Sequence, residues 1–224
     1  MSARDTVLAS VRRSLGVTGK EAPRRSAADD RLSRHPRGII PKRGKLPDTQ
    51  RIKLFCTQVE DAHGTIEQLA SPEQVPAAAA AYLRSKNLPM SVRRGSDPRL
   101  EAIPWQSEPT LEVLLGRSDG NELASVSHAL GAVAESGTLV LASGPDNPTT
   151  LNFLPDHHIV VVDADDIAGD YETVWDAVRD RFAGKLPRMI NWITGPSRSA
   201  DIEQTHLLGA HGPRSVHVLV IGKP

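Results

Sequence analysis

Long apolar runs and helical stripes alternate along most of this chain. β-Branched and apolar runs predict strands at residues 137–143, 158–162 and 215–221. Apolar residues at helical spacing predict helices at residues 48–63, 72–84 and 171–182. Strands that are apolar along their length and alternate with helices are typical of a parallel sheet covered on both faces. The pattern therefore predicts one α/β domain with a central, mainly parallel sheet flanked by helices.

Shorter runs predict further strands at residues 64–69, 89–92, 110–115 and 189–193. The run at 189–193 is nearly continuous, which favours a strand covered on both faces, as in the central sheet. Residues 125–133 are ambiguous, because Val126 can end a short strand and His128 can begin one or two helical turns. Residues 95–109 contain several prolines and are expected to form a loop that can include one short turn of helix.

The turn after residue 193 contains Thr194, Gly195, Pro196 and Ser197, which combine backbone freedom with two hydroxyl groups. A helix is expected to follow this turn. Ser197 or Ser199 can cap it, and Asp201 and Glu203 suit the positive end of a helix. A second turn at residues 209–213 then leads into the closing strand.

The first 48 residues differ in pattern from the remainder. Residues 1–16 carry an apolar stripe that predicts an amphipathic helix, with Ser2 as its N-cap. Residues 17–48 are rich in Arg, Lys, Ser and Pro, and we expect a basic extended arm or linker. Such an arm could meet an anionic partner, although basic runs are more often solvated linkers. The α/β domain is then residues 49–224.

Composition narrows the classes of partner. Lys and Arg total 27 and Asp and Glu total 27, so the global charge favours neither nucleic acid nor a membrane surface. Small molecules and other proteins are the expected partners, and a homo-oligomer is possible.

The single cysteine, Cys56, excludes an internal disulfide and is typical of a reducing compartment. An iron–sulfur cluster needs about four thiolates, so we expect any such cluster in a partner protein and no cofactor in this chain. No apolar run approaches the roughly 20 residues of a membrane span, and residues 1–19 lack the core of a secretion signal. The expected location is the cytoplasm.

Glu135 is the first candidate catalytic residue. It precedes Ser136, Gly137 and Thr138 just before a predicted strand. A carboxylate there could be a nucleophile or general base, or could hold loop amides as a structural acceptor. Both interpretations remain open.

His157 and His158 begin a strand, so their imidazoles should face opposite sides and one can face a given pocket. Such an imidazole could bind a substrate carboxylate or move a proton, or could be a structural histidine.

Arg198 has the geometry for bidentate recognition of a carboxylate or phosphate, unless it pairs with Asp201. Because ligands bind outside the carboxyl ends of strands in open α/β sheets, we expect the turns carrying Glu135, His158 and Arg198 to share one rim. The candidate substrate- or anion-binding residues are Ser136, Gly137, Thr138, Thr194, Gly195, Ser197, Arg198, Asp201, His211 and Gly212.

The sequence predicts no metal site and no nucleotide site. His206 and His211 are five residues apart, which does not place them on one helical face. The chain has no His-Glu-x-x-His or Cys-x-x-Cys motif, no Walker loop and no Gly-x-Gly-x-x-Gly fingerprint.

Four stretches in order, AESGTLVL, LPDHHIVVV, TGPSRSADIE and GAHGP, resemble the LUD domain of the lactate-utilisation protein C (LutC/YkgG) family. The resemblance covers residues 59–221. It implies a fold related to sugar-phosphate isomerases and CoA transferases (NagB/RpiA/CoA-transferase-like), and it favours His158 over His157 as the candidate catalytic histidine. The turn at Glu135 also resembles the Glu-x-Gly turn of CoA transferases, where the glutamate is the nucleophile.

The same resemblance implies an accessory subunit of a cytoplasmic system that oxidises L-lactate to pyruvate with iron–sulfur partner proteins. Two alternatives remain open. One is a stand-alone enzyme that acts on a small carboxylate or acyl thioester through Glu135. The other is a non-catalytic module for ligand sensing or assembly.

Overall fold

A computed structural model describes residues 2–200, 206–209 and 211–222 of the chain. Within these ranges, six parallel strands form a central sheet in the order β1-β12-β7-β4-β2-β3. The strands are β1 (Thr65–Leu69), β2 (Ser91–Arg94), β3 (Glu112–Leu115), β4 (Ala124–His128), β7 (His157–Asp163) and β12 (Ser215–Ile221). The predicted α/β class with a parallel central sheet is confirmed.

Alternate residues of the central strands enter two separate cores. Ile159 and Val161 of β7 face helix α4 (Val75–Ser85) and the short helix α5 (Pro98–Glu101). Val160 and Val162 face helix α3 (Asp48–Asp61) on the opposite side. A strand buried on both faces explains the uninterrupted apolar run from which β7 is predicted.

A smaller sheet lies on the α3 side of the central sheet. It has the order β8-β5-β6-β9 among the described strands, which are β5 (Gly131–Val133), β6 (Thr138–Ala142), β8 (Ile167–Ala168) and β9 (Ile190–Ile193). Its outer face packs through Val133 and Val140 against helix α6 (Tyr171–Arg181). Asp170 caps α6 by accepting a hydrogen bond from the Thr173 amide, at 2.9 Å.

The assignment of residues 189–193 to the central sheet is wrong. β9 pairs antiparallel with β6 and lies at the edge of the smaller sheet. A short apolar run fits either position, because its pairing partner is set by the position of β6 and not by its own sequence.

One segment predicted as a helix and one left ambiguous form strands. The chain after Ser197 forms β10 (Arg198–Ala200), which pairs antiparallel with β11 (His206–Leu208). The polar residues that suggested a helix cap suit a hairpin as well. The ambiguous segment from His128 to Val133 contains β5, because its backbone pairs with both β6 and β8.

The chain divides into two units, Met1–Ile39 and Ile40–Pro224. In the first unit, helix α1 (Ala3–Ser14) has the predicted cap, with Ser2 and Asp5 forming a capping box. A second helix, α2 (Ala22–Arg34), occupies much of the segment expected to be extended. Weak apolar content does not prevent a helix when its residues are good helix formers and Asp30 pairs with Arg34 four positions later. Neither helix buries a residue.

Candidate functional site

Glu135 lies in the turn between β5 and β6. Its amide donates a hydrogen bond to the Gly169 carbonyl at 3.2 Å, which continues the pairing of β5 with β8. The side chain is 5% exposed, and its Oε2 lies 3.5 Å from Arg43 Nε. Among the described residues, Oε2 accepts no hydrogen bond. The turn therefore holds a buried carboxylate beside one exposed guanidinium.

Two glycines bring Arg43 to this position. A Cβ on Gly44 would lie 2.5 Å from the Gly169 carbonyl oxygen, and a Cβ on Gly169 would lie 1.9 Å from the Gly44 oxygen. Such approaches are possible only without side chains. Arg43 precedes Gly44, and the Gly169 carbonyl accepts the hydrogen bond of the Glu135 amide. The close contact between the two glycines therefore brings the Arg43 guanidinium to the Glu135 carboxylate.

Four hydroxyl groups from three parts of the chain form a network beside Glu135, which we call the hydroxyl cluster: Ser136, Thr138, Tyr171 and Thr194. Thr138 Oγ1 is its centre, at 2.8 Å from Ser136 Oγ, 2.8 Å from the Tyr171 hydroxyl and 2.7 Å from Thr194 Oγ1. Thr138 is buried, whereas Thr194 is exposed and Tyr171 borders solvent. Each hydroxyl donates one hydrogen bond and accepts two, so the cluster can rearrange to donate to an anion.

Close contacts with α3 bring the two turns of this site together. A Cβ on Gly137 would lie 2.6 Å from the Gln58 carbonyl carbon, and a Cβ on Gly195 would lie 2.2 Å from the Ala62 oxygen. Both turns therefore lie against the C-terminal half of α3, where the chain leads into β1.

These contacts place the site at the amino edge of the central sheet. Ala62 ends α3 just before β1. The Ser197 amide donates to the Pro213 carbonyl, 2.8 Å away, just before β12. The expected placement outside the carboxyl ends is wrong for these residues.

Ser197 organises the base of the β10–β11 hairpin. Its carbonyl accepts a hydrogen bond from the Gly209 amide at 3.0 Å, and its Oγ accepts one from the His211 amide at 3.3 Å. Gly212 lies against Ser197, where an added Cβ would be 3.4 Å from the Ser197 Cβ. Arg198 is exposed at the start of β10. Asp201, its expected acidic neighbour, lies outside the described residues.

His158 is fully buried at the second position of β7. Its Nε2 lies 3.0 Å from Ser127 Oγ, and burial lowers its pKa to about 3. His157 faces the other side of the sheet, where its Nδ1 lies 2.9 Å from the Tyr82 hydroxyl. Among the described contacts, none joins His158 to Glu135 or to the turn at Thr194. The structure therefore joins the turn of Glu135 to Thr194 through Thr138, and the described contacts of His158 do not include either turn.

The sequence does not identify two members of the site, Arg43 and Tyr171. Arg43 lies in the segment interpreted as an arm, and Tyr171 opens a helix predicted from its apolar face. Each residue reaches Glu135 or Thr138 only through pairings of the smaller sheet, which no local pattern indicates. The nearest local signal is Gly44, a glycine between Arg43 and Lys45.

No three His, Cys, Asp or Glu side chains of the described residues are placed to hold a metal ion together. Over the same residues, no helix has the length and apolar character to cross a membrane.

Cys56 is half-buried near Gln68, and burial, followed by the nearby Glu60 charge, raises the pKa of its thiol. A thiol with a raised pKa is a poor nucleophile at neutral pH.

Residues 52–221 match the family model described as the LUD domain. The chain is 30% identical over 152 residues to an uncharacterised protein of Neisseria meningitidis serogroup B, covering 65% of this chain and 64% of that protein. It is 40% identical over 91 residues to lactate utilization protein C of Bacillus subtilis, covering 39% and 38%. A protein of the same name from Geobacillus kaustophilus is 34% identical over 127 residues, covering 52% and 53%. The chain thus spans less than two thirds of the length of these relatives.

The fold is similar to a crystal structure of a DUF162 family protein from Deinococcus radiodurans. The superposition has a TM-score of 0.60 at 24% identity, and it covers 79% of this chain and 99% of that one. At this level of identity, the similarity concerns the fold.

Proposed function

Because this chain belongs to the LUD domain family, we propose that it is an accessory component of a cytoplasmic system that oxidises L-lactate to pyruvate. Its similarity to proteins named lactate utilization protein C carries the proposal. Oxidation of lactate releases two electrons, and a chain with one cysteine cannot by itself ligate an iron–sulfur cluster of four thiolates. The electron carriers in this proposal are iron–sulfur partner proteins.

The test is reconstitution of lactate oxidation from purified parts. The chain alone, the iron–sulfur partners alone and the mixture are each assayed for pyruvate formed from L-lactate with an artificial electron acceptor. We expect activity only in the mixture. Robust pyruvate formation by the chain alone would contradict the accessory role, and full activity of the partners without the chain would remove any need for it.

The environment of Glu135 favours a second candidate, a stand-alone enzyme acting on a small acyl thioester. The carboxylate is buried, its Oε2 accepts no hydrogen bond among the described residues, and its ion-pair partner is one exposed arginine. Attack of a Glu135 oxygen on a thioester carbonyl would form an acyl-glutamyl anhydride and release the CoA thiolate.

The second candidate is tested by mass spectrometry after incubation with an acyl-CoA. An acyl adduct on Glu135 in the wild-type chain, absent from Glu135→Gln, would support it. An unmodified wild-type chain would exclude it and leave the accessory role as the sole proposal. Full activity of the reconstituted mixture with Glu135→Gln and His158→Ala would instead indicate a module without chemistry of its own.

A further inference from the structure

A cavity of about 290 Å³ lies at the opposite edge of the protein from Glu135, outside the carboxyl ends of β2, β4 and β6. This is the edge at which open α/β sheets bind their ligands. Its volume is near the lower end of the range for small-molecule sites, which favours a compact metabolite. The side chains that carry its chemistry are Asp97, Arg99, His128, Asp146 and Arg181.

Arg99 is fixed in the wall of this cavity. Its Nε and Nη2 donate to the two oxygens of Asp97 at 3.2 and 3.0 Å, and its Nη1 donates to the Ala129 carbonyl at 2.9 Å. Asn147 Nδ2 donates to the same Asp97 carboxylate at 3.0 Å. Burial raises the pKa of Asp97, but the hydrogen bonds from Arg99 and Asn147 outweigh this effect and lower the pKa to about 2. A guanidinium has five N–H groups, so Arg99 keeps two for a ligand.

His128, the last residue of β4, contributes an acceptor. Its Nδ1 lies 2.9 Å from the Ala129 carbonyl, which can only accept, so the neutral ring carries its proton on Nδ1. Its Nε2 then has a free lone pair, 3.5 Å from Asp163 Oδ2. Burial and the Arg99 charge lower the His128 pKa, and they outweigh the Ala129 carbonyl and the Asp163 and Asp97 carboxylates. A neutral His128 accepts a hydrogen bond through Nε2.

The charges of the cavity lining limit the charge of a ligand that it can bind. Asp97 and Asp146 offset Arg99 and Arg181, so the lining is close to neutral and does not favour a multiply charged phosphate. Asp146 is itself held at one oxygen by Ser96 Oγ, 3.2 Å away. Arg181 is exposed at the end of α6. The cavity wall therefore offers two cationic donors, Arg99 and Arg181, for one carboxylate of a ligand. It also offers one neutral acceptor, His128 Nε2, for a hydrogen-bond donor next to that carboxylate.

We propose that this cavity binds a small 2-hydroxycarboxylate, with its carboxylate on Arg99 and Arg181 and its hydroxyl donating to His128 Nε2. A 2-amino acid has a similar arrangement of groups, and the choice of hydroxyl over ammonium rests on the proposed function. The accessory component thus carries the recognition site for its system's substrate. Binding here requires no chemistry at Glu135.

Four ligands that differ at C2 test this assignment: L-lactate, propionate, L-alanine and pyruvate. Each is titrated into the full-length chain to about 50 mM while amide NMR signals of Leu130, Ser143 and Gly144 are followed, because millimolar affinity is expected for so small a ligand. L-Lactate should bind about tenfold more tightly than propionate or pyruvate, neither of which can donate a hydrogen bond from C2.

Two variants of lining residues and one control variant separate the contributions of Arg181 and His128 to binding. Arg181→Gln should weaken L-lactate binding by about tenfold, the effect of one hydrogen bond to a charged group. Arg188→Gln removes an exposed arginine outside the cavity lining and should leave the affinity unchanged. His128→Phe should lower the affinity for L-lactate to that for propionate. Its amide NMR spectrum should keep the wild-type dispersion, which shows that the variant is folded.

Absence of shifts with all four ligands would overturn the proposal, as would equal affinity for L-lactate and propionate. Tighter binding of L-alanine would overturn the hydroxycarboxylate assignment. These outcomes are independent of the reconstitution assay. An active mixture with no binding to the isolated chain would leave the proposed function standing without this cavity, and L-lactate binding in an inactive mixture would do the reverse.

Discussion

His158 shows how a single contact fixes the state of a buried residue. Ser127 Oγ donates its one hydrogen to Asn152 Oδ1 at 3.1 Å, so it accepts from His158 Nε2. His158 is then the neutral Nε2–H tautomer, and its Nδ1 has no hydrogen-bond partner among the described residues. His217 is also buried, and burial followed by the Lys86 charge lowers its pKa to about 4. Both rings are neutral in the folded protein.

These two histidines predict a loss of stability in mild acid. In the unfolded chain both titrate near the ordinary histidine pKa of 6.5, whereas in the folded protein the pKa of His158 is about 3 and that of His217 about 4. The unfolded state therefore binds more protons as pH falls below about 6.5, and the free energy of unfolding decreases. Each histidine should contribute about 1 kcal/mol per pH unit between about pH 6 and 4. Urea unfolding at pH 7, 6 and 5 measures this slope.

His158→Gln provides the matched control, because glutamine can also donate to Ser127 but does not titrate. It should reduce the slope by about 1 kcal/mol per pH unit between about pH 6 and 4. A wild-type chain whose unfolding free energy is the same at pH 7 and pH 5 would show that these rings are not buried and neutral.

Thr138→Val tests the hydroxyl cluster. Valine has the same shape but removes the group that joins Ser136, Tyr171 and Thr194. We expect a loss of about 1–3 kcal/mol in the free energy of unfolding, since partly buried hydroxyls lose their partner. Ser33→Ala is the control, because its hydroxyl donates only to the exposed Asp30 carbonyl, and it should change little. Equal effects of the two changes would contradict a connected cluster.

At the scale of elements, α3 positions both turns of the candidate site. Its backbone at Gln58 and the Ala62 carbonyl that follows leave room for glycine alone at positions 137 and 195. The sequence predicts Gly195 as a turn residue and Gly137 as the first residue of a strand. The backbone that demands them lies far away along the chain, so no local pattern identifies it.

Gly137→Ala should be strongly destabilising. The new Cβ would lie under 3 Å from backbone atoms of Gln58 and Val59, at a φ of +67°. Gly120→Ala separates the two causes, since Gly120 has a φ of +94° with no atom within 4 Å of the added Cβ. Gly120→Ala should lower the free energy of unfolding by about 1–2 kcal/mol through backbone strain. Gly137→Ala should lower it by at least about 1 kcal/mol more, because of the steric conflict. Thermal unfolding distinguishes them, and identical losses would exclude a tight contact with α3.

The strands and helices that could be predicted are those whose environment is uniform. β6, β7 and β12 are long apolar runs, and α3, α4 and α6 carry a continuous stripe, so the local pattern decides the element. Among the strands, the wrong or ambiguous predictions concern β5, β9 and β10, each of three or four residues. Such short strands exist because a neighbour pairs with them, and their own sequences fit a helix or another sheet equally well.

At the scale of the whole molecule, part of the candidate site could be predicted and part could not. The sequence singles out the turns that carry Glu135 and Thr194, and the β6–β9 pairing unites them. Arg43 and Tyr171 join them only through the fold.

The cavity at the other edge could not be predicted, for two reasons. His128 ends a strand in a segment that is ambiguous between strand and helix. Asp97 and Arg99 lie in a segment expected to be mainly a loop, and the sequence does not indicate where its short helix α5, which Asp97 caps, would lie. The residues of this cavity meet only after the parallel strands have paired.

Removal of residues 2–39 tests the division of the chain. The buried apolar clusters of the described residues contain no member before Ile52, and α1 and α2 bury none. A chain starting at Ile40 should therefore retain its fold, with a thermal midpoint within about 2 °C of the full chain. Removal of residues 2–61 is the contrasting truncation, since it deletes α3 and its buried Phe55, and it should not fold. A large drop in the midpoint for the shorter deletion would contradict the division.

Growth on L-lactate is the most direct measurement of the proposed role. The gene for this chain is deleted in its native host, and growth is compared on L-lactate and on glucose as sole carbon source, with and without the wild-type chain supplied in trans. We predict that the deletion prevents growth on L-lactate, leaves growth on glucose unchanged, and is corrected by the wild-type chain. Undiminished growth of the deletion strain on L-lactate would contradict a role in lactate utilisation.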